Sequence, residues 1–148
     1  MMHYNAMIRL MKYCVDTPKK GWMLKPKITW DGKSKFMFQI SGRSDSDYVK
    51  CPATKRSVSG FNVKLEGAVI ICENDMQKTT TLSVTEVETV SGVSCAQEMM
   101  YAKNIVESIG LQVELLIILE VDNRGTKYMA QNFASSGRTK HMEIRMLW

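Results

Sequence analysis

SVTEVETVSGVSCAQEMMYAKNIVESI, residues 83–109, carries a long unbroken periodic pattern. Its apolar and small residues recur every three or four positions, which predicts one face of a helix over 84–109. Ser83 and Glu86 have the spacing of a capping box, and Gly110 is typical of the position that ends a helix. The predicted stripe, which is expected to cover the core, consists of Val84, Val87, Ser91, Cys95, Met99, Ala102, Val106 and Ile109.

Two acidic residues stand close together at the start of this helix. Glu86 fits the capping role, because its carboxylate can accept a hydrogen bond from the amide of Ser83 at the positive end of the helix. Glu88 lies at the margin of the apolar stripe, so its side chain is expected to point along the edge of the core. Since an unpaired buried charge is costly, Glu88 needs a partner.

Strands are predicted on both sides of the long helix. Residues 36–45, FMFQISGRSD, alternate between apolar and polar, and 60–66 and 68–72 predict a hairpin that turns at 66–67. Residues 113–121, VELLIILEV, are nearly all apolar, which is typical of a central strand covered on both faces.

Further helices are predicted towards both ends of the chain. Residues 4–15, YNAMIRLMKYCV, have the spacing of an amphipathic helix, and the basic stretch 18–35 is expected to be mainly loop with a short strand at 22–25. Helices are also expected over 124–133 and from 138 onward. This order of elements predicts an α/β fold with a mixed sheet and helices packed on it.

Composition and charge limit the class of protein. The 148 residues are 45% hydrophobic and 24% charged, which is ordinary for one soluble globular domain. No apolar run approaches the roughly 20 residues that cross a bilayer, so neither a membrane span nor a secretory leader is expected. Residues 1–60 hold twelve Lys/Arg and four Asp/Glu, whereas 61–148 hold eight and eleven. The basic first part favours a polyanionic partner or, equally, a solvated lysine-rich surface.

The four cysteines, Cys14, Cys51, Cys72 and Cys95, have no metal-ligand spacing. Because the two histidines are also far apart, a zinc site has no support. Free thiols in a reducing compartment are therefore expected.

Three acids occupy comparable places in the predicted fold. Asp45 ends or borders the first strand, Glu88 lies on the inner margin of the long helix, and Asp122 lies at the carboxyl end of the buried strand 113–121. If these two strands are neighbours, the carboxylates converge and repel one another unless a cation neutralises them. Mg²⁺ prefers such ligands, and two ions can stabilise a phosphodiester displacement. Acids at strand ends are also common loop residues, so spacing leaves both interpretations open.

Several motifs follow one another in a familiar order. SDSDYVKCPATKRSVSG at 44–60, SVTEVET at 83–89, VDN at 121–123 and RTKHMEIR at 138–145 resemble the ribonuclease H region of copia-type retrotransposon polyproteins. The leading segment 5–22, NAMIRLMKYCVDTPKKGW, resembles the connection between reverse transcriptase and nuclease in that family. The resemblance covers nearly the whole chain.

The resemblance implies a ribonuclease H-like mixed sheet with antiparallel first strands and parallel later strands. It also implies two-metal-ion hydrolysis of the RNA strand in an RNA–DNA hybrid, with Mg²⁺ as the cofactor and Mn²⁺ as a substitute. The residues that match the catalytic and metal-binding acids of the family are Asp45, Glu88, Asp122 and Glu143.

The same resemblance divides the chain into a connection helix and basic loop, 1–35, and a nuclease domain that is truncated at its C-terminus, 36–148. It implies the reverse transcriptase portion of a polyprotein as partner. The implied location is intracellular, in the cytoplasm, a virus-like particle or the nucleus.

The chain departs from the family pattern at several positions. Tyr48 stands in place of a tryptophan, Thr89 in place of a tyrosine, and residues 50–52 replace the usual continuation of the first motif. Glu143 keeps the charge of the usual aspartate but is one methylene longer. The last helix is also short, so its end is expected to fray and to hold Glu143 poorly.

Polar residues near the motifs are candidates for nucleic-acid binding: Lys55, Arg56, Ser57, Asn123, Arg124, Arg138 and Lys140. Each has an ordinary alternative. Exposed Lys and Arg commonly contact only solvent, Ser57 fits turn chemistry, and Asn123 fits the cap of the helix at 124.

Two further functions compete with the active nuclease. One is a degenerate or repurposed remnant that keeps the fold, and binds nucleic acid, without cutting. The other is a protein-interaction module that inherited only the sheet.

Overall fold

The computed structural model describes residues 2–131 apart from 22, 23, 29, 34, 52 and 116, and the side chains of 4–130 within that range. Three helices and six strands lie in this part of the chain. In order they are α1 Met2–Asp16, β1 Met37–Phe38, β2 Ile40–Asp47, β3 Val58–Leu65, β4 Ala68–Met76, α2 Val84–Ser108, β5 Gln112–Val113, β6 Ile118–Glu120 and α3 Arg124–Gln131.

The main sheet has the strand order β4-β3-β2-β6. β2 pairs with β3, and β3 with β4, in antiparallel fashion, whereas β6 runs parallel to β2. β1 and β5 form a second, parallel pair. This mixed α/β arrangement confirms the predicted fold class, with antiparallel first strands and parallel later strands, and is consistent with a ribonuclease H-like fold.

The predicted hairpin is present and turns where expected. Leu65 pairs with Ala68, and the two residues between them, Glu66 and Gly67, have φ angles of 51° and 79°. A two-residue turn with both residues in the left-handed region matches the twist of the flanking strands. The buried Glu66 carboxylate also accepts a hydrogen bond from the amide of Gln39 at 2.6 Å, which ties the turn to the start of β2.

The helix α2 begins as its sequence predicts, with one difference. Ser83 is the N-cap, and its hydroxyl accepts a hydrogen bond from the amide of Glu86 at 3.2 Å. The Glu86 carboxylate accepts from the amide of Leu82 at 2.7 Å, rather than from Ser83 as predicted.

One face of α2 covers the sheet and forms the core with it. The buried residues of this core are Ile40, Phe61, Val63, Cys95, Met99, Ala102, Val106 and Val113. The two ends of the predicted stripe are not buried as expected, because Val84 is 48% exposed and Ile109 is 67% exposed. The sheet is shorter than the helix, so the terminal turns of α2 extend past it.

Gly42 of β2 is buried beneath side chains of α2. A Cβ at this position would lie 2.7 Å from Sγ of Cys95 and closer still to Sδ of Met99, so these side chains of α2 must shift to admit it. We therefore expect Gly42→Ala to lower the free energy of unfolding by about 2 kcal/mol in urea denaturation. Gly60→Ala is the matched control, because its Cβ would find ordinary contacts at 3.9 Å. Equal stability of the two variants would contradict this packing.

The strand predicted over 113–121 is divided and does not lie at the centre. Val113 belongs to β5, whereas Ile118–Glu120 forms β6, the last strand of the main sheet among the described residues. Leu115 is 81% exposed, and Ile118 is exposed as well. The apolar run therefore lacks the two-sided cover that its composition predicts, at least within the part of the chain that the structure describes.

The N-terminal region is helical as predicted, but its apolar face is not buried. Met7, Leu10 and Met11 of α1 are all exposed. Leu24 and Lys25 are outside any strand, and the rest of the short strand predicted at 22–25 lies outside the described residues. The end of the helix predicted over 124–133 and the last predicted helix are also beyond them.

Two other expectations concern cysteines and membrane segments. All four cysteines are free, and burial raises the pKa of Cys95 to about 11, so its thiol stays neutral. Among the described helices, none combines the length and apolar character required to cross a membrane.

Candidate metal centre

Two neighbouring parallel strands bring the first and third acids together. Arg43 of β2 pairs with Glu120 of β6. Two residues further along, Asp45 is still inside β2, which continues to Asp47, and pairs with Gly60 of β3, whereas Asp122 lies two residues past the end of β6. The two aspartates therefore stand side by side towards the carboxyl ends of both strands. Ligands of α/β sheets commonly bind at this edge.

The helix α2 brings Glu88 to the same place. Ser91, which is fully buried, donates a hydrogen bond to the backbone carbonyl of Asp45 at 3.0 Å. Ser91 lies three residues after Glu88, so the two side chains project from nearly the same side of the helix. This bond therefore fixes the helical turn that carries Glu88 against the strand that carries Asp45.

The three carboxylates form a compact cluster. One oxygen from each of Asp45, Glu88 and Asp122 can be chosen so that all three lie within 4.8 Å of one another. Asp45 and Asp122 are exposed, whereas Glu88 is only 4% exposed. The cluster thus has a buried floor and two accessible sides, and we call these three residues the acid cluster.

Burial and charge disfavour the ionised form of Glu88. Its pKa is raised, first by burial and then by the negative charges of Asp122 and Asp45. Ser46 opposes this rise, but no hydrogen bond of regular geometry reaches Oε2 of Glu88 from the described residues. A buried carboxylate oxygen without a donor is costly and is a natural ligand for a cation.

The donor set suits a hard divalent ion. Carboxylate oxygens are the protein ligands that Mg²⁺ prefers, and oxygens on opposite sides of one such ion lie about 4.2 Å apart. The observed limit of 4.8 Å is close to this value, so small side-chain movements would complete the contacts. The residues present therefore fit Mg²⁺ or Mn²⁺ and offer none of the sulfur or imidazole ligands typical of zinc.

Three candidate basic residues lie at the same end of the sheet as the acid cluster. Lys55 and Arg56 belong to the connection from β2 to β3, which leaves β2 after Asp47, and both are exposed. Arg124 is exposed and begins α3, directly beyond Asp122. The positions of all three are compatible with phosphate contacts.

Two candidate polar residues have structural roles. Ser57 is 0% exposed, and its hydroxyl accepts a hydrogen bond from the amide of Val49 at 3.0 Å and pairs with Thr81 at 3.3 Å. The hydroxyl of Ser57 is therefore enclosed, and this arrangement lends no support to the nucleic-acid contact predicted for it. Asn123 caps α3, since its Oδ1 accepts from the amide of Thr126 at 3.1 Å.

The remaining candidates, Glu143, Arg138 and Lys140, lie outside the described residues. Sequence reasoning also missed two residues that shape the site, Ser91 and Ser46. Ser91 was visible as a polar residue inside an otherwise apolar stripe, and Ser46 lies between the two aspartates of the SDSD motif.

Comparison with known proteins relates the chain to transposon polyproteins. It is 25% identical over 109 residues to the Retrovirus-related Pol polyprotein from transposon TNT 1-94 of Nicotiana tabacum, a match that covers 74% of this chain and 8% of the relative. It is 26% identical over 142 residues to the Pol polyprotein from transposon RE2 of Arabidopsis thaliana, covering 96% of this chain and 9% of the relative. The chain thus spans less than a tenth of these curated relatives.

A relative of another kind is the Secreted RxLR effector protein 161 of Plasmopara viticola. It is 29% identical over 99 residues, which cover 67% of this chain and 64% of the relative. No protein-family model and no solved structure matches the chain. The comparisons therefore show that the chain is similar to one segment of the retrovirus-related Pol polyproteins of plant transposons.

Proposed function

We propose that this chain is a ribonuclease H domain that hydrolyses the RNA strand of RNA–DNA hybrids with Mg²⁺ bound at the acid cluster. The observation that carries the proposal is the convergence of Asp45, Glu88 and Asp122, whose carboxylate oxygens come within 4.8 Å of one another. Oε2 of the buried Glu88 also has no regular hydrogen-bond donor in the part of the chain that the structure describes. Glu143 is the proposed fourth ligand, from the motif that matches the fourth acid of the resembling family.

The three acids have different parts in this proposal. Glu88 forms the buried floor and is the residue that gains most from a cation, because its charge is the most poorly solvated. Asp45 and Asp122 are exposed, so they present the cation to a substrate that approaches from solvent. When bound, two Mg²⁺ ions would supply charge neutralisation to the attacking and leaving oxygens of the phosphodiester.

The surroundings of the cluster suit a polyanion. Lys55, Arg56 and Arg124 are exposed at the same end of the sheet and are the proposed phosphate contacts, together with Arg138 and Lys140. Phosphate contacts hold a nucleic acid without selecting its sequence. Selection of an RNA–DNA hybrid, and of the RNA strand within it, is proposed from the sequence resemblance.

The context of the domain is proposed from the relatives. Because the chain matches less than a tenth of each Pol polyprotein, we propose that it acts beside the reverse transcriptase portion of such a polyprotein, with residues 1–35 as the connection. Activity would then take place inside the cell, in the cytoplasm, a virus-like particle or the nucleus.

The similarity to an effector protein favours a second candidate function. The match covers 64% of that effector protein, which is not named as a Pol polyprotein. Related sequences therefore also occur in proteins of another kind. In this alternative the chain is a repurposed remnant that keeps the sheet and its basic end and binds nucleic acid without cutting it.

One experiment separates the two candidates. The purified chain is incubated with a labelled RNA–DNA hybrid and Mg²⁺, and RNA cleavage and hybrid binding are followed at several salt concentrations. The nuclease is expected to cut only the RNA strand and to stop when EDTA is added. Binding that weakens steeply with salt but never leads to cleavage would favour the remnant. If the chain showed no cleavage and bound no metal, the nuclease would be excluded.

A further inference from the structure

The first turn of α3 is held against the first turn of α2 by hydroxyl groups. Oγ1 of the buried Thr126 donates to the backbone carbonyl of Thr85 at 3.4 Å and lies 3.4 Å from Oγ1 of Thr89. Thr89 uses its only hydroxyl proton at the Thr85 carbonyl, at 2.7 Å. Thr126 also has a single hydroxyl proton, which it can donate either to the Thr85 carbonyl or to Oγ1 of Thr89. We call Thr85, Thr89 and Thr126 the threonine clip.

The two helices approach closely at the clip. A Cβ at Gly125 would lie 2.9 Å from the side chain of Thr85 and 3.0 Å from Oδ1 of Asn123. Any larger residue would push α3 away from α2. Gly125 therefore allows the short distance over which the hydroxyl of Thr126 reaches α2.

The clip lies directly beside two members of the acid cluster. Thr85 and Thr89 stand three residues before and one residue after Glu88 on α2. Asp122 immediately precedes Asn123, the cap of α3, and lies beyond β6 in a segment without regular structure. Pairing in the sheet therefore fixes the backbone only as far as Glu120, two residues before Asp122. On the other side of Asp122, the contact between α3 and α2 fixes the backbone.

We propose that the threonine clip positions Asp122 against Glu88 for metal binding, with Thr126 as the central positioning residue. This inference rests on the proposed function, because it assigns the clip to the same metal centre. Metal ligands must be held to within about 0.5 Å of the productive geometry by the residues around them. Thr126 contacts neither ion nor substrate in this proposal and acts only through the segment that carries Asp122.

The test compares Thr126→Val with Thr126→Ser in the full chain. Valine keeps the shape of threonine and removes the hydroxyl, whereas serine keeps the hydroxyl. Thr81→Val is the matched control, because Thr81 is also buried and its hydroxyl lies 3.3 Å from Oγ of Ser57. Each variant is titrated with MgCl₂ and MnCl₂ while thermal unfolding is followed, and amide hydrogen exchange of residues 121–127 is measured without metal.

We expect the metal concentration for half-maximal stabilisation to rise about tenfold in Thr126→Val, the usual cost of losing a supporting residue at a metal site. Thr126→Ser and Thr81→Val should titrate like the wild type. Exchange over 121–127 should accelerate in Thr126→Val alone.

Three results would overturn the inference. Thr126→Val could titrate like the wild type, Thr81→Val could shift the titration equally, or exchange over 121–127 could be unchanged in Thr126→Val. A wild type that neither ion stabilises would instead refute the proposed metal centre. That outcome differs from a failed clip, in which the wild type responds to metal and all variants respond equally.

Discussion

Asp45→Asn is expected to abolish cleavage of the RNA strand in an RNA–DNA hybrid while leaving the fold intact. The exposed carboxylate of Asp45 belongs to the acid cluster, and asparagine keeps its size but removes the negative charge. Loss of a residue that only supports a metal ligand costs 10- to 100-fold in affinity or activity. Loss of a direct ligand should therefore reduce the initial cleavage rate by at least about a hundredfold at saturating Mg²⁺.

Asp75→Asn is the matched control for this substitution. Asp75 is also an exposed strand aspartate, but it lies on β4, at the opposite edge of the sheet from β6. Its carboxylate accepts a hydrogen bond from the amide of Met76 and is not part of the acid cluster. Asp75→Asn should cut at the wild-type rate. Cleavage by Asp45→Asn at a rate close to that of Asp75→Asn would show that the acid cluster does not carry the activity.

Glu88→Gln is expected to change stability in opposite directions with and without metal. Without divalent ions at pH 7, the variant should be more stable by about 1 kcal/mol, because it removes a buried charge that faces two other acids and whose Oε2 has no regular hydrogen-bond donor among the described residues. With Mg²⁺ at a hundred times its dissociation constant, the wild type alone should gain about 2.7 kcal/mol. Thermal unfolding with EDTA and with MgCl₂ measures both effects.

The pH dependence of this difference has a definite sign. The folded state raises the pKa of Glu88 above its ordinary value of 4.5, so the folded protein holds the proton more tightly than the unfolded chain. The stability that this proton contributes is fully present below pH 4.5 and is lost as the pH rises through the raised pKa. Metal-free Glu88→Gln should therefore match the wild type at pH 4 and exceed it at pH 7. A constant difference over this range would contradict the assigned environment of Glu88.

Local patterns in the sequence predict much of this fold. The S-x-x-E spacing places the start of α2 correctly, and Glu66–Gly67 places the turn of the hairpin, because both signals depend only on nearby residues. The position of Glu88 at the stripe margin is also sufficient to separate it from Glu86. Both side chains are nevertheless buried, and one serves as a cap while the other enters the acid cluster.

Features that depend on distant contacts are the ones that local patterns miss. The apolar run at 113–121 predicts a central strand, but strand order depends on pairing across the whole sheet, and β6 lies at an edge among the described residues. Ser57 lies in a stretch whose composition is typical of an exposed turn. It is buried because it contacts Thr81, which is 24 positions away in the sequence. The contact of Thr126 with Thr89 spans 37 positions and leaves no periodic signal.

The most direct test of the metal centre is a crystal structure of the chain soaked in MnCl₂, with the ion located by its anomalous scattering. The proposed function predicts manganese within about 2.3 Å of carboxylate oxygens from Asp45, Glu88 and Asp122, in the octahedral oxygen geometry expected of this ion. Full anomalous signal elsewhere on the protein, with the three carboxylates free of metal, would contradict it.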